Sequence, residues 1–253
     1  MKTFTTYPEA LARFYDVIYQ HHRDGVDNAF FLDRMKAVKG PVLEVGVGTG
    51  RFFMDALRQG TDIYGLDVNQ SMLDILLSKL DRKEHYRISR QHIADYSFDH
   101  TFDLIIAPFR VIMHVLEKEE QIMALNNAWA HLAPGGEFIF DTFVPDLGLI
   151  RDGLDEVLDF EGEHKPGHAL KRIVSSKPDY INQLLDIRFH LEWEEGGETN
   201  TFNWDFSMRF FFRYELEHFI ERSKFNQYEL LGDYQGNPLG PESREFIAVC
   251  KKT

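Results

Sequence analysis

The chain has 253 residues, with 28 lysines and arginines against 41 aspartates and glutamates, which gives a formal net charge of −13. This length is sufficient for one large domain with its own buried core. With 43% hydrophobic and 14% aromatic residues, the composition excludes a disordered or fibrous chain. The acidic balance argues against a protein that binds nucleic acid or an anionic membrane over a wide surface.

The cysteine content and the lengths of the apolar runs exclude further classes of protein. Cys250 is the single cysteine, which excludes an internal disulfide and a zinc site of several cysteines. We expect no membrane span, because no apolar run approaches about 18 residues. Residues Met1 to Thr5 lead into polar and charged residues, which predicts no signal peptide and a cytoplasmic protein.

The first two thirds of the chain alternate between predicted helices and strands. Apolar residues recur at helical spacing over 8–22 and about 26–38. Strands are then expected at 42–45, 63–67, about 86–93, 102–107 and 137–143, with helices ending near 59 and covering about 70–80 and 118–133. This alternation is typical of a parallel sheet with right-handed crossovers.

The region after residue 145 has a different pattern. Residues 183–193 and 200–212 alternate between apolar and polar side chains, as β-strands with one buried face do. Gly196-Gly197 between them suits a two-residue hairpin turn that needs positive φ. Centring the turn there pairs Phe189 with Trp204, Ile187 with Phe206 and Arg188 with Asp205.

A glycine-rich segment, Glu44-Val45-Gly46-Val47-Gly48-Thr49-Gly50, lies between the first predicted strand and the next helix. Glycines let the backbone approach a ligand, and a helix N-terminus offers free N–H groups. A P-loop requires Lys and Ser or Thr where this chain has Arg51-Phe52, which argues against triphosphate binding. A dinucleotide-binding loop has the spacing G-x-G-x-x-G, whereas these glycines are spaced G-x-G-x-G.

The segment resembles instead the S-adenosylmethionine (SAM) loop of class I methyltransferases, [DE]-x-G-x-G-x-G, at every marked position. Asp67 ends the second strand, where a carboxylate accepts ribose hydroxyls, although NAD-binding proteins share this feature. In the family an acidic or amide side chain after the third strand accepts from the adenine amino group, and Asp95 matches that position. The segments 102–107 and 131–138 resemble later motifs of the family.

The N-terminal helix extends the resemblance. Its Tyr15-Asp16-Val17-Ile18-Tyr19 looks like the Y-D-x-x-Y element of small-molecule methyltransferases such as the sugar and glycine N-methyltransferases. The segment 107–110, followed by His114, is similar to a bacterial branch of the family. The family resemblance implies an α/β fold with a seven-stranded, mostly parallel sheet, helices on both faces, and an antiparallel β insert between strand 5 and the last helix.

We expect one domain with four parts. Residues 1–40 would form helices that cover the site, 41–145 the SAM-binding core, 146–212 the antiparallel insert and substrate cap, and 213–253 a closing helix with two strands. The helix is expected at about 214–224 and the strands near 227–234 and 245–251.

The resemblance and the residue chemistry together predict the site. The cofactor-binding residues are expected to be Tyr15, Tyr19, Glu44, Gly46, Gly48, Gly50, Asp67, Val68, Asp95, Tyr96 and Ala107. His114 is the candidate general base, because a neutral imidazole works near pH 7, and Tyr15 the second catalytic candidate. Arg110 and Asp141 are candidate substrate ligands, with Arg110 suited to a carboxylate or phosphate. No metal is expected.

The predicted function is transfer of a methyl group from SAM to N or O of a small molecule, which leaves S-adenosylhomocysteine (SAH). The segment 107–110 lacks the [DN]-P-P-[YFW] motif of DNA amino-methyltransferases. RNA cytosine-C5 methylation requires a catalytic cysteine in the core of the domain, whereas Cys250 lies in the last predicted strand. Neither nucleic acid nor a membrane is therefore an expected partner. The alternatives are an NAD-linked oxidoreductase and a SAM-binding protein without transfer activity.

Overall fold

The structure is a computed structural model that describes residues 7–22 and 25–253. Residues Met1 to Thr5, on which the signal-peptide prediction depends, lie outside the described residues. Within the described ranges, the helices α1 to α7 span Glu9–His22, Asn28–Ala37, Arg51–Arg58, Gln70–Lys79, Lys118–His131, Leu147–Asp152 and Arg213–Glu221. None of these helices is long and apolar enough to cross a membrane.

Eleven strands are assigned in the same ranges. The strands β1 to β11 span Val42–Val45, Ile63–Asp67, Ile88–Arg90, Phe102–Ala107, Leu132–Phe143, Leu154–Lys165, His168–Asp179, Leu184–Glu195, Glu198–Arg209, Gln227–Leu231 and Glu245–Lys251. Two short 3₁₀ helices cover Arg82–Arg87 and Val111–His114.

Seven of these strands form the central sheet, in the order β10-β11-β5-β4-β1-β2-β3. The first five strands of the chain pair in parallel, and β11 is antiparallel to both of its neighbours. Helices cover both faces, because Leu43 packs with residues of α5 and α7 while Val42 packs with residues of α2, α3 and α4. The predicted fold class is therefore confirmed.

Strands buried on both faces are expected to be continuously apolar in sequence. In β1, Val42, Leu43 and Val45 are buried, and the one polar residue, Glu44, is buried as well. Glu44 is thus the residue of β1 that breaks the apolar pattern, and it does so at the end of the strand where ligands bind in open α/β sheets.

The insert forms a four-stranded antiparallel sheet in the order β6-β7-β8-β9. The predicted hairpin register is confirmed, since Phe189 lies opposite Trp204, and Gly196 and Gly197 have φ values of 65° and 84°. Phe14 of α1 packs against the apolar face of this sheet. The insert and α1 together cover one end of the central sheet.

Two strands of the insert were not recognised in the sequence. In β6, Phe160 is the one buried residue, so the strand lacks the alternation that marks β8 and β9. Its pairing with β7 is also interrupted by several register shifts. A second difference is that β5 begins at Leu132 rather than at the expected residue 137, and its pairing with β4 has a register shift.

Candidate cofactor and substrate site

A cavity opens at the carboxyl ends of β1, β2 and β4, where parallel sheets bind ligands. It encloses about 1050 Å³ including its open mouth. Its walls come from the glycine loop, the residues that follow β2, β3 and β4, and the aromatic residues Tyr7 and Tyr15 near the start of the chain.

The three glycines of the loop are required for different reasons. All have positive φ, at 74° for Gly46, 53° for Gly48 and 87° for Gly50. A Cβ on Gly46 or Gly50 would lie 2.4 Å from a side-chain carbon of Val111 or Leu76, so these glycines permit close packing. A Cβ on Gly48 would have 4.0 Å to its nearest neighbour, because Gly48 borders the cavity.

Asp67 lies beside Gly48 at the end of β2. It is 7% exposed, and its carboxylate accepts the backbone N–H groups of Gly48 at 3.0 Å and Asn69 at 2.8 Å and the Asn69 amide at 2.9 Å. Burial raises the pKa of Asp67, and these hydrogen bonds oppose the rise. The carboxylate is thus fixed in orientation at the cavity wall.

Glu44 is the most unusual group in the wall. It is 2% exposed, and its Oε2 has no hydrogen-bond partner in the described residues. Burial raises the pKa of Glu44 to about 8, an effect that the charge of Arg51 opposes. A buried carboxylate oxygen without a partner is costly, and it suits a ligand that brings a positive charge or an N–H donor.

Tyr7 and Asn69 are among the wall residues that the sequence analysis did not predict. The backbone N–H of Tyr7 donates to Asn69 Oδ1 at 2.7 Å, and Ser71 Oγ donates to the Tyr7 carbonyl at 2.9 Å. The Tyr7 ring lies 6.0 Å from the Tyr15 ring, and Tyr19 packs behind Tyr15 at 4.4 Å without lining the cavity. Asn69 follows Asp67 at the N-cap position of α4, a signal that would have suggested it.

The predicted adenine acceptor, Asp95, lies outside the cavity wall, although residues shortly before it in the sequence line that wall. Asp95 is exposed and does not line the cavity, whereas Gln91, His92 and Ile93 do. Tyr96 is buried, with its ring 4.7 Å from the ring of His131, and it too lies away from the cavity.

We expect Asp95→Ala to change the Kd for SAH by less than about threefold, the range of an exposed substitution. Ile93→Asp, which places a charge in the apolar part of the wall, is expected to weaken binding at least about tenfold. Isothermal titration calorimetry measures both values. A large loss in Asp95→Ala would restore Asp95 as an adenine ligand.

Val68 and Ala107 lie at the carboxyl ends of β2 and β4. Val68 lines the cavity, while Ala107 is fully buried, and Pro108 and Phe109 after it form the wall instead. Ala107 therefore ends a strand that presents its following residues to the ligand.

The two predicted substrate ligands contact each other. Arg110 donates from its guanidinium to Asp141 at 2.9 Å and to Glu245 at 2.7 Å. Asp141 is fully buried, and neither Arg110 nor Asp141 lines the cavity. Their role as substrate ligands stays a prediction, and their contacts within the protein suggest a different one.

Residues 42–136, from β1 into β5, match a family described as methyltransferase domain. An uncharacterized methyltransferase of Alkaliphilus oremlandii is 27% identical over 154 residues, which are 60% of this chain and 67% of that protein. A cypemycin N-terminal methyltransferase of a Streptomyces species is 27% identical over 143 residues, 56% of this chain and 58% of that one.

Solved structures share the fold over nearly the whole chain. A SAM-dependent methyltransferase from Clostridium acetobutylicum has a TM-score of 0.77 at 16% identity and covers 96% of this chain and 98% of its own. The sugar N-methyltransferase KedS8 from a Streptoalloteichus species has a TM-score of 0.74 at 17% identity, with 98% and 97% covered.

Residues 42–136 therefore form a methyltransferase domain, and the chain has the fold of class I, SAM-dependent methyltransferases. The loop around Gly48 fits SAM as the cofactor in three respects: open space beside Gly48, a fixed acceptor in Asp67, and an unpartnered acceptor oxygen in Glu44. Neither alternative function, NAD-linked oxidation nor SAM binding without transfer, is supported by these similarities. Among the described residues, no cluster of His, Cys, Asp or Glu is arranged to hold a metal ion.

His114 of the methyltransferase domain lines the cavity at the end of the second 3₁₀ helix. Its ring stacks 5.9 Å from Phe206 of the insert and lies 6.4 Å from Tyr7. Burial lowers the pKa of His114 to about 4. The imidazole is therefore neutral at physiological pH, but it is a weak base that takes up a proton reluctantly.

This pKa gives His114 a predictable effect on stability. As the pH falls from about 6.5 towards 4, the unfolded chain takes up a proton at His114 that the folded protein does not, so the free energy of unfolding decreases. Between pH 7.5 and 5 the loss from this group should be about 2 kcal/mol.

Urea unfolding at both pH values tests this effect. His114→Gln should show a decrease smaller by that amount, while His218→Gln, at an exposed position, should behave like the wild type. An identical pH dependence in His114→Gln and the wild type would contradict the lowered pKa.

Proposed function

We propose that this protein transfers the methyl group of SAM to a nitrogen or oxygen atom of a small molecule. The observation that carries the proposal is one cavity that combines the glycine loop, Asp67 and Glu44 with an aromatic wall from the N-terminal helix. The cofactor and its acceptor would therefore meet at the same strand ends.

Three residues of the cavity wall would each bind a different part of SAM. Asp67 would accept the ribose hydroxyls, since its carboxylate is already oriented by Gly48 and Asn69. Glu44 would accept from the amino group of the methionine portion, directly or through water. Gly48 would let that portion pass close to the backbone.

When bound, SAM supplies an electrophilic methyl group on a sulfonium. The chain's own contribution is to hold the acceptor in line and to exclude water, which together account for most of the acceleration expected of such a transfer. Tyr15 presents an aromatic ring towards the cavity, and such rings favour a cation. His114 would accept a hydrogen bond from the acceptor and orient it, because its low basicity suits orientation better than proton removal.

The charges of the cavity favour a neutral or amine-bearing acceptor over an anionic one. Its carboxyl and guanidinium groups belong to Glu44, Asp67, Glu120 and Arg51. Arg51 is the one cation among them, and its guanidinium is paired with the buried Asp27 at 2.7 Å. Two similar proteins, a cypemycin N-terminal methyltransferase and a sugar N-methyltransferase, are named for nitrogen acceptors.

We further propose that the chain works as one domain with the four parts predicted from the sequence. Residues 41–145 and 213–253 would form the SAM-binding body, and 146–212 with 1–40 the cap over the acceptor. The contact of Phe206 with His114, and of Tyr7 with Trp204 at 4.5 Å, supports this division, because the insert reaches the cavity wall directly.

A screen with SAM labelled in its methyl group tests the proposal. The panel should contain amino sugars, simple amines and peptides with free N-termini, together with anionic analogues of the same size. We expect label transfer to an uncharged or amine-bearing compound, and at a SAM concentration below Kd the transfer should be reduced at least about fivefold in Asp67→Ala. Binding of SAH without label transfer to any compound would support a SAM-binding protein without activity.

A further inference from the structure

The turn between β4 and the second 3₁₀ helix has an unusual backbone. Phe109 and Arg110, two consecutive residues other than glycine, have φ values of 62° and 70°. A side chain in this left-handed region is strained, and such strain persists only where the surroundings enforce it. Strained residues cluster at functional sites, so the interactions that hold this turn are informative.

Asp141 of β5 enforces the turn through both of its oxygens. The backbone N–H of Arg110 donates to Oδ1 at 2.9 Å, and the guanidinium donates to Oδ2 at 2.9 Å. Tyr234 also donates its hydroxyl to Oδ2. Glu245 of β11 binds the other side of the guanidinium at 2.7 Å. The turn is thus tied to two neighbouring strands by a buried network.

The turn in its strained form places two side chains in the cavity wall. The Phe109 ring lines the cavity, 5.1 Å from the Tyr19 ring and 5.1 Å from the Arg51 guanidinium. Val111 fills the space next to Gly46. A relaxed turn would withdraw both contacts from the glycine loop and from the N-terminal helix.

We propose that Arg110 and Asp141 are positioning residues, which hold Phe109 in the wall of the SAM site and so set the affinity for the cofactor. This assignment differs from their predicted role as substrate ligands, because both terminal nitrogens of the guanidinium already contact carboxylates of the chain itself. It rests on the proposed function only in taking SAM and SAH as the ligands.

A double-mutant cycle on the Kd for SAH, measured by calorimetry, tests the proposal. Asp141→Asn puts an amide where two donors converge, and we expect it to raise Kd at least about tenfold, with Phe109→Ala raising it similarly. The double variant should bind no more weakly than Phe109→Ala, because Asp141 acts through that ring. A merely structural Asp141 would instead give losses that multiply.

Matched variants keep the outcome interpretable. Glu137 lies on β5, as Asp141 does, but it pairs with Arg34 and does not contact the turn at 109–110. Glu137→Gln should therefore leave the Kd for SAH unchanged. If Asp141→Asn fails to fold, Glu245→Gln replaces it in the cycle, since it loosens the guanidinium and keeps Asp141. Losses that multiply, or an unchanged Kd, would overturn the proposal. A wild-type protein that does not bind SAH would overturn the proposed function instead.

Discussion

Asp67→Ala is expected to weaken SAH binding by about 1–3 kcal/mol, which is roughly 5- to 150-fold in Kd. The charged acceptor for the ribose hydroxyls is lost, and hydrogen bonds to a charged group are the stronger kind. The loop loses order as well, because the N–H of Gly48 and the groups of Asn69 no longer have their acceptor.

The two effects of Asp67→Ala can be separated. Asp67→Asn keeps one carbonyl acceptor and the side-chain shape, so it should recover part of the stability while binding remains weak. Asp74→Ala, an exposed aspartate on α4, serves as the control and should match the wild type in both measurements. Calorimetry with SAH and thermal unfolding without ligand supply the data. An unchanged Kd in Asp67→Ala would remove Asp67 from the cofactor site.

Glu44→Gln is expected to stabilise the ligand-free protein and to weaken SAH binding. With a folded-state pKa of about 8, Glu44 is protonated when folded and ionised when unfolded between pH 4.5 and 8, so wild-type stability decreases as the pH rises through this range. Glutamine avoids that cost, and we expect a gain of about 2–4 kcal/mol at pH 8.

The same substitution removes the acceptor that the amino group of the cofactor needs. We expect a loss of about 1–3 kcal/mol in SAH binding. Wild-type affinity should also rise towards pH 8 as Glu44 ionises, and Glu44→Gln should lack this contribution. Denaturant unfolding and calorimetry at pH 6 and 8 measure the two effects, with the exposed Glu229→Gln as control. A Glu44→Gln protein that is less stable at pH 8 yet binds SAH normally would contradict the assignment.

The SAM-binding edge was predictable because its signals are local. The glycine loop and Asp67 follow single strands, and the carboxyl ends of neighbouring parallel strands meet at one edge. The hairpin of the insert was predictable for a similar reason, since a two-glycine turn determines which residues of β8 and β9 face each other.

Other features of the site could not be predicted, because they depend on contacts between residues that are distant in the sequence or on the conformation of a turn. Asp95 follows β3 as the resemblance requires, but a turn with a hydrogen bond from its N–H to the His92 carbonyl leaves Asp95 exposed. Arg110 and Asp141 were each recognised, yet their pairing depends on the adjacency of β4 and β5, and Glu245 joins them from the end of the chain. Sequence periodicity says nothing of such long-range contacts.

Titration of the purified protein with SAH and, separately, with NAD tests most directly whether the cavity at the ends of β1, β2 and β4 binds SAM. We predict saturable binding of SAH at one site per chain, weakened in Asp67→Ala, and no measurable binding of NAD. Tight binding of NAD without binding of SAH would contradict the account.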